Sequence, residues 1–463
     1  MKANRGVFIL LFSGLFLLLT CITMARSLAE QNVISNGVIG TGKVIVTLKR
    51  AIDIQGADGL HAKDIGKLSK LLKMPEITYH AQPFTEKTVV EANNALYTVK
   101  LTGTNYLLPH FAAMRFKHGC FFTQNEEAEA ENVIAVEDEF AWSVFRSEDV
   151  VGKNIKIAGQ SFRITGVIRK DTSIIGRLLE DGLPEVYIPG KKLEELDETA
   201  RIDSFQVRTA DTDTLDRHRV LIADVLAKAG KNPEHYRIND FNIRQALLDQ
   251  KADLIVFIPG SISILILFFY LKSSTTQVIK VIQAKCRSDY LSNVLKDNLR
   301  TVLPAGMKMI TALLGISFIA LGIRFTFYIP PELIPEELID ISYYISLIKS
   351  NIQAEMSGAG YAASYPELYT RRIDLLTGWL LFVTSAAGLA LIYAGLGRMK
   401  RLEMDLFKMT LAAGLFFILT FIILAAAAKM TELPFVPDTK SFLVIWAFTY
   451  INTTYFLMRK ENT

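Results

Sequence analysis

The chain has 463 residues, half of them hydrophobic, and a formal net charge of only +4. With a positive mean hydropathy, this is the composition of a membrane protein that also carries a sizeable water-exposed part, and nothing in the charge balance calls for a nucleic-acid partner.

A bilayer core needs about 20 apolar helical residues to cross, and the first candidate is Val7–Met24, preceded by Lys2 and Arg5. Ser27-Leu28-Ala29 resembles a small-residue cleavage site. The apolar run is longer than the ~7–15 residues of a signal-peptide core, so a retained anchor is expected. Thr20 stands before Cys21 where a lipidation site would have Gly or Ala.

The stretch NGVIGTGKVIVTLK, Asn36 to Lys49, sets Gly37, Gly42 and Lys43 at the spacing of a phosphate-binding loop. That loop needs a Ser or Thr after the lysine for magnesium and a helix whose N-terminus faces the anion. Here Val44 follows, and the β-branched run Val44–Leu48 reads as a strand. The expectation is a glycine turn entering a strand, with Lys43 facing solvent or headgroups.

From Ala25 to Lys251 no comparable apolar run occurs, and residues 26–251 read as a large α+β domain. Lys43–Lys49, Leu96–Leu101 and Val133–Val136 have strand character, and Ala62–Leu72 is a short amphipathic helix. The acidic NEEAEAEN before Val133 reads as a solvated loop. A second helix follows that strand, packing Phe140, Val144 and Phe145. Ile155, Ile157, Phe162 and Ile164 then alternate about a Gly159-Gln160 turn as in a hairpin, with Gly152-Lys153 as a turn before it.

Five further apolar runs follow: Leu254–Leu271, Met309–Tyr328, Leu375–Leu396, Met409–Ala428 and Ser441–Met458. The expected fold is therefore a multi-pass α-helical membrane protein of about six spans, the domain lying between the first two. Its parts are 1–25 (N-terminus and first span), 26–251 (domain), 252–272 (second span), 273–307 (amphipathic segment), 308–328 (third span), 329–373 (outer segment) and 374–463 (the last three spans). Lys and Arg gather beside alternate ends: Lys2 and Arg5; Lys272, Lys280, Lys285, Arg287, Lys296 and Arg300; Arg398, Lys400 and Arg401; Arg459 and Lys460. By the positive-inside rule both termini are cytoplasmic and the domain lies outside. Cys21, Cys120 and Cys286 then fall in three different compartments and form no intrachain disulfide.

Segment 329–373 carries Glu332, Glu336, Glu337, Asp340, Glu355 and Glu367 but repeats Leu338, Ile341, Ile345 and Ile348 at helical spacing. An interfacial helix on the outer membrane surface is expected, with Tyr343 and Tyr344 at headgroup level. Arg324 reads as an interfacial anchor near the outer end of its span. The spans show no paired intramembrane charges, and the small residues of TSAAGLALIYAGLG suit close packing in a bundle or at a dimer seam. The six histidines show no metal-ligand spacing and no hydrolase motif occurs, so no catalytic, cofactor or metal residue is expected.

The run GTNYLLPHFAAMRFKHGCFFT, then NVIAVEDEFAWSVFRSEDVVGKNIKIAGQSFRITGVIRK, then LPEVYIPG, resembles the extracytoplasmic core domain of MacB/FtsX-type ABC transporter permeases. The residues that carry the resemblance are Gly119, Phe122, Val133, Ala141, Phe145, Asp149, Val151, Gly152, Lys153, Ile155, Ile157, Phe162, Gly166, Val167, Val186, Tyr187 and Pro189. The resemblance implies an outer domain of two α+β lobes, a homo- or heterodimer of permeases in the lipid bilayer of a bacterial plasma membrane, and a separate cytosolic ATPase that binds the ATP. The chain itself would be no enzyme, coupling that ATPase to movement of the outer domain for export. The family ordinarily has three spans after this domain, whereas about five are read here, and its Arg-Glu-Ile-Gly docking signature is missing. In the corresponding place Val278, Ile279, Ile282, Lys285 and Arg287 form an apolar and basic face, which suits either an ATPase-coupling surface or contact with anionic lipid. The alternative function is an ATPase-independent outer binding or assembly protein.

Overall fold

The computed structural model describes residues 2–49, 59–72, 76–83, 87–180, 182–209, 217–285, 298–330, 334, 341–356, 363–399 and 406–461. Its chain divides into two units. One is Met1–Ala29, Leu248–Tyr328 and Asp374–Thr463; the other is Glu30–Leu247 with Ile329–Ile373. Segment 329–373 thus belongs to the same unit as the α+β domain.

In chain order the elements are α1 (Lys2–Ser35), β1 (Lys43–Leu48), α2 (Ala62–Leu72), β2 (Ile77–Gln82), β3 (Thr88–Ala92), β4 (Ala95–Thr104), α3 (Leu108–Phe111), β5 (Arg115–Gly119), α4 (Gln124–Ala128), β6 (Val133–Glu137), α5 (Asp138–Phe145), β7 (Asn154–Ile157), β8 (Gln160–Arg169), α6 (Ile174–Leu179), β9 (Glu185–Pro189), α7 (Gly190–Leu196), β10 (Arg201–Arg208), α8 (Arg217–Lys228) and β11 (Tyr236–Asp240). Then come α9 (Phe241–Lys285), α10 (Leu299–Gly322), α11 (Ile341–Met356), α12 (Tyr365–Val383), a π-helical turn (Thr384–Gly388), α13 (Leu389–Met399), α14 (Leu406–Met430) and α15 (Thr439–Glu461).

Among the described residues eleven strands join one sheet. Antiparallel β11-β1-β10-β2 form one arm, and β4-β3-β7-β8-β6-β9 return to β4 as a closed ring. The arm meets the ring at a single register pair, Ala81↔Gly103. Two lobes are recognisable, yet they share one apolar core running from Val44, Phe205 and Leu226 to Val136, Phe162 and Val186. The hairpin over β7 and β8 follows from alternation: Ile155, Ile157, Phe162 and Ile164 are buried while Asn154, Lys156 and Ser161 face out.

Two sequence expectations are corrected in this unit. The acidic stretch before Val133 is partly the helix α4, because Thr123 and Glu126 close a reciprocal capping box and Glu127 accepts a hydrogen bond from the Tyr106 amide. Lys43 does not face solvent. It is completely buried, its Nζ donating to the Phe111 carbonyl oxygen at 2.6 Å beside the rings of Phe111 and Phe241.

The other unit is helical. Among the described residues, five helices are long and apolar enough to cross a membrane: those within Gly6–Ser35, Phe241–Ala284, Leu299–Gly322, Tyr365–Met399 and Phe407–Met430. The sixth expected span is helical as α15, but its Thr449, Asn452 and Thr453 lower its hydropathy, and it keeps these groups buried and bonded within the bundle. The bundle core joins Leu11, Leu15 and Leu18 of α1, Ile255 and Val256 of α9, Ile319 of α10, Ile392 of α13 and Phe448 of α15. Pro259 lies inside α9, and the carbonyl oxygen of Pro259 accepts from Ser263 Oγ at 2.9 Å.

Candidate functional site

The family-motif residues lie in turns, strand pairings and packed clusters. Gly119 and Gly166 face each other across β5 and β8. A Cβ on Gly166 would meet the Cys120 carbonyl oxygen at 2.5 Å, and one on Gly119 would collide with the Thr165 carbonyl. Gly119 also has φ +67°, so the pair needs glycine both for conformation and for close backbone approach. Gly152 has φ +84° in open space and is a turn residue only. Lys153 lays its amine over the Phe145 ring at 4.9 Å. Phe162 fills the main core, and Phe122 packs in a satellite cluster with Phe121 and Tyr187. Pro189 ends β9 where α7 begins.

Tyr187 also belongs to a polar cluster that sequence reasoning did not assemble. Its hydroxyl donates to Glu185 Oε2 at 2.5 Å, and Lys100 Nζ reaches Glu185 Oε1 at 2.6 Å. The Glu185 amide donates to Glu137 Oε2 at 2.9 Å. Burial pulls the Glu185 carboxyl upward, but the charge and hydrogen bond of Lys100 and the bond from Tyr187 hold it below the ordinary carboxylate value. Glu137 lacks such a cation in contact, and burial, with the Glu185 charge adding to it, pushes it up to about 7. Burial lowers neighbouring His80 to about 4. Among the described residues no group of His, Cys, Asp and Glu could hold a metal ion. The cluster was invisible in the sequence because Lys100, Glu137 and Glu185 meet only through the parallel pairing of β4 with β9 and the antiparallel pairing of β6 with β9.

In the helical unit, charges just beyond the ends of the expected spans form ion pairs. Arg26 of α1 bonds Asp253 of α9 at 2.5 Å and Asp438, just before α15, at 3.2 Å. Burial raises the Asp438 carboxyl, but hydrogen bonds from Ser441 and the Arg26 charge overcome it and leave it low. Lys251 pairs with Asp374 at 2.5 Å. The small-residue stretch is used within the chain: a Cβ on Gly14 would meet the Gly388 carbonyl oxygen at 2.8 Å, and one on Gly395 the Leu11 amide at 2.9 Å. These glycines let α1 cross the π-helical turn and α13 at backbone contact.

Four of the five candidate coupling residues, Val278, Ile279, Ile282 and Lys285, lie on an unbroken extension of the second span. Helix α9 is 45 residues long, about 68 Å at the α-helical rise, roughly twice the thickness of a bilayer core. Val278, Ile279 and Ile282 stand near its C-terminal end, with Ile279 exposed and Val278 and Ile282 half-buried. Lys285 is its last residue, and Arg287 lies outside the described residues.

A bundle with five helices able to cross a membrane and a large α+β domain inserted between the first two defines a multi-pass membrane protein. Residues 13–224 match the family model described as the MacB-like periplasmic core domain. Structural likenesses are the periplasmic region of MacB from Actinobacillus actinomycetemcomitans (16% identity, 45% of this chain and 94% of that one, TM-score 0.37) and the extracellular domain of the noncanonical ABC-type transporter YknZ from Gram-positive bacteria (16% identity, 42% and 99%, TM-score 0.35). A third is a domain of a permease-like protein from Porphyromonas gingivalis (12% identity, 43% and 90%, TM-score 0.29). Comparison with curated proteins finds no match.

Proposed function

We propose that the chain is a non-catalytic permease subunit of an ABC-type transporter or mechanotransmission complex, working with a separate cytosolic ATPase. The observation that carries this reading is the MacB-like core domain between two candidate spans, the second of which continues unbroken to Lys285. In this reading both termini are cytoplasmic and the domain lies outside a bacterial plasma membrane. The chain dimerises with itself or a second permease, and nucleotide closure on the partner ATPase pulls on the C-terminal turns of α9. A rigid helix conveys such a displacement without a polar path through the bilayer, which fits export of a substrate met outside the membrane. The chain binds no cofactor; ATP belongs to the partner.

Affinity purification in mild detergent tests the reading. A stoichiometric ATP-hydrolysing chain is expected with the wild type and lost with Ile282→Asp. Its absence from the wild type, with the outer domain still recovering a binding protein, would favour the ATPase-independent assembly role, for which the missing Arg-Glu-Ile-Gly signature speaks.

A further inference from the structure

The stretch Ser364–Ile373, SYPELYTRRI, begins as a sequence would have it: Ser364 and Glu367 have the spacing of a helix N-terminus, with Pro366 in the first turn. Glu367 Oε2 accepts from the Ser364 amide at 3.0 Å and from its hydroxyl at 2.8 Å. The same carboxylate also accepts from Thr47 Oγ1 on β1 at 2.9 Å and, through Oε1, from Asn239 Nδ2 on β11. A group that only capped its own helix would remain in water, yet Glu367 is 8% exposed.

One turn later the contacts change partners. Thr370 Oγ1 donates to Asn32 Oδ1 at 2.7 Å, near the end of α1, and Asn32 Nδ2 donates to Gln245 Oε1 at 3.0 Å, near the start of α9. Tyr369 accepts from Gln31 Nε2 at 2.9 Å and lies 3.2 Å from Ser173 Oγ, the cap of α6. Tyr369, Thr370, Ile373 and Asn32 are all buried, whereas Arg371 and Arg372 point out. Glu367, Thr370 and Ile373 recur at three residues and form one inward face.

We infer that Ser364–Ile373 is a strap that ties the domain-side end of α1 to that of α9 through Asn32, with Glu367 as its pin on the sheet. The links from Glu367 to β1 and β11 and from Thr370 to Asn32 are hydrogen bonds, each contributing about 1 kcal/mol net. Such bonds exchange readily for bonds to water, so the strap can lift locally while the apolar core of the sheet stays closed. Its use as a gate on motion reaching the outer domain rests on the permease reading; the lock itself does not.

Hydrogen exchange of the full chain in detergent reads the lock directly. Glu367→Ala is expected to raise exchange about tenfold, the equivalent of about one lost hydrogen bond, in residues 30–35, 241–247 and 365–373, and to leave β6, β7 and β8 unchanged. Thr370→Val keeps the side-chain shape and is expected to raise exchange at 30–35 and 241–247 alone, which keeps the test open if Glu367→Ala fails to fold. A rise confined to 365–373 in both variants, or spread over every strand, overturns the strap. Ile282→Asp separates the two ideas: a lost ATPase with an unaltered exchange pattern leaves the lock standing, while an altered pattern in Thr370→Val beside a wild type that binds no ATPase removes only the permease reading.

Discussion

Lys43 Nζ donates a 2.6 Å hydrogen bond to the carbonyl oxygen of Phe111, sixty-eight residues away, with none of its side chain exposed. The lysine of an apparent phosphate loop is therefore a structural pin between β1 and α3, closed off from any anion. Burial against Phe111 and Phe241 lowers its amine well below the ordinary value of 10.5. The folded chain holds fewer protons here than the unfolded one, so this site adds stability as pH rises toward 10.5. Comparing thermal unfolding of wild type and Lys43→Met at pH 7 and pH 10 should show the wild type gaining relative to the variant at the higher pH. A constant difference would mean that the amine is not held neutral.

Glu137 gives the opposite slope. Its folded value of about 7 stands above the ordinary 4.5, so its contribution is complete below 4.5 and disappears as pH rises through 7. The full displacement corresponds to at most about 3 kcal/mol. His80, lowered to about 4 from 6.5, stabilises above 6.5 and loses that as pH falls. Between pH 6.5 and 8 only Glu137 of the two titrates, and Glu137→Gln is expected to flatten the fall in unfolding midpoint across that window.

The two motif glycines of turn and ladder should respond differently to alanine. Gly166→Ala must move the Cys120 carbonyl, at a cost of more than about 2 kcal/mol. Gly152→Ala meets open space and only a left-handed φ, costing about 1 kcal/mol, and Gly152→Asn recovers part of it. Denaturant titration ranks them, and equal losses would contradict the close approach across β5 and β8.

Arg26 faces two carboxylates, and all three side chains remain 18–26% exposed. Arg26→Gln is expected to lower stability by about 1–2 kcal/mol, less than a fully buried pair would lose, because water still reaches the site. The triple variant with Asp253→Asn and Asp438→Asn should regain most of that in the same unfolding assay. No recovery would show that Arg26 acts through packing rather than charge.

Much of this was legible beforehand. The apolar runs, the β7–β8 alternation and the glycine and aromatic spacing of the core domain are local patterns, written within a few residues of one another. The acidic stretch before Val133 reads as loop by composition, because a capping box depends on one side chain turning back three residues.

By itself the sequence determined a multi-pass membrane protein with an α+β domain after its first span, since burial of apolar side chains follows a period that the chain carries in its own order. Only the tertiary structure decided that Lys43 is buried under Phe111, that Arg26 has two partners, and that Glu367 and Thr370 reach β1, β11 and α1. Those are polar groups whose satisfaction depends on partners tens to hundreds of residues distant, and a polar side chain looks the same in sequence whether water or the fold supplies its hydrogen bond.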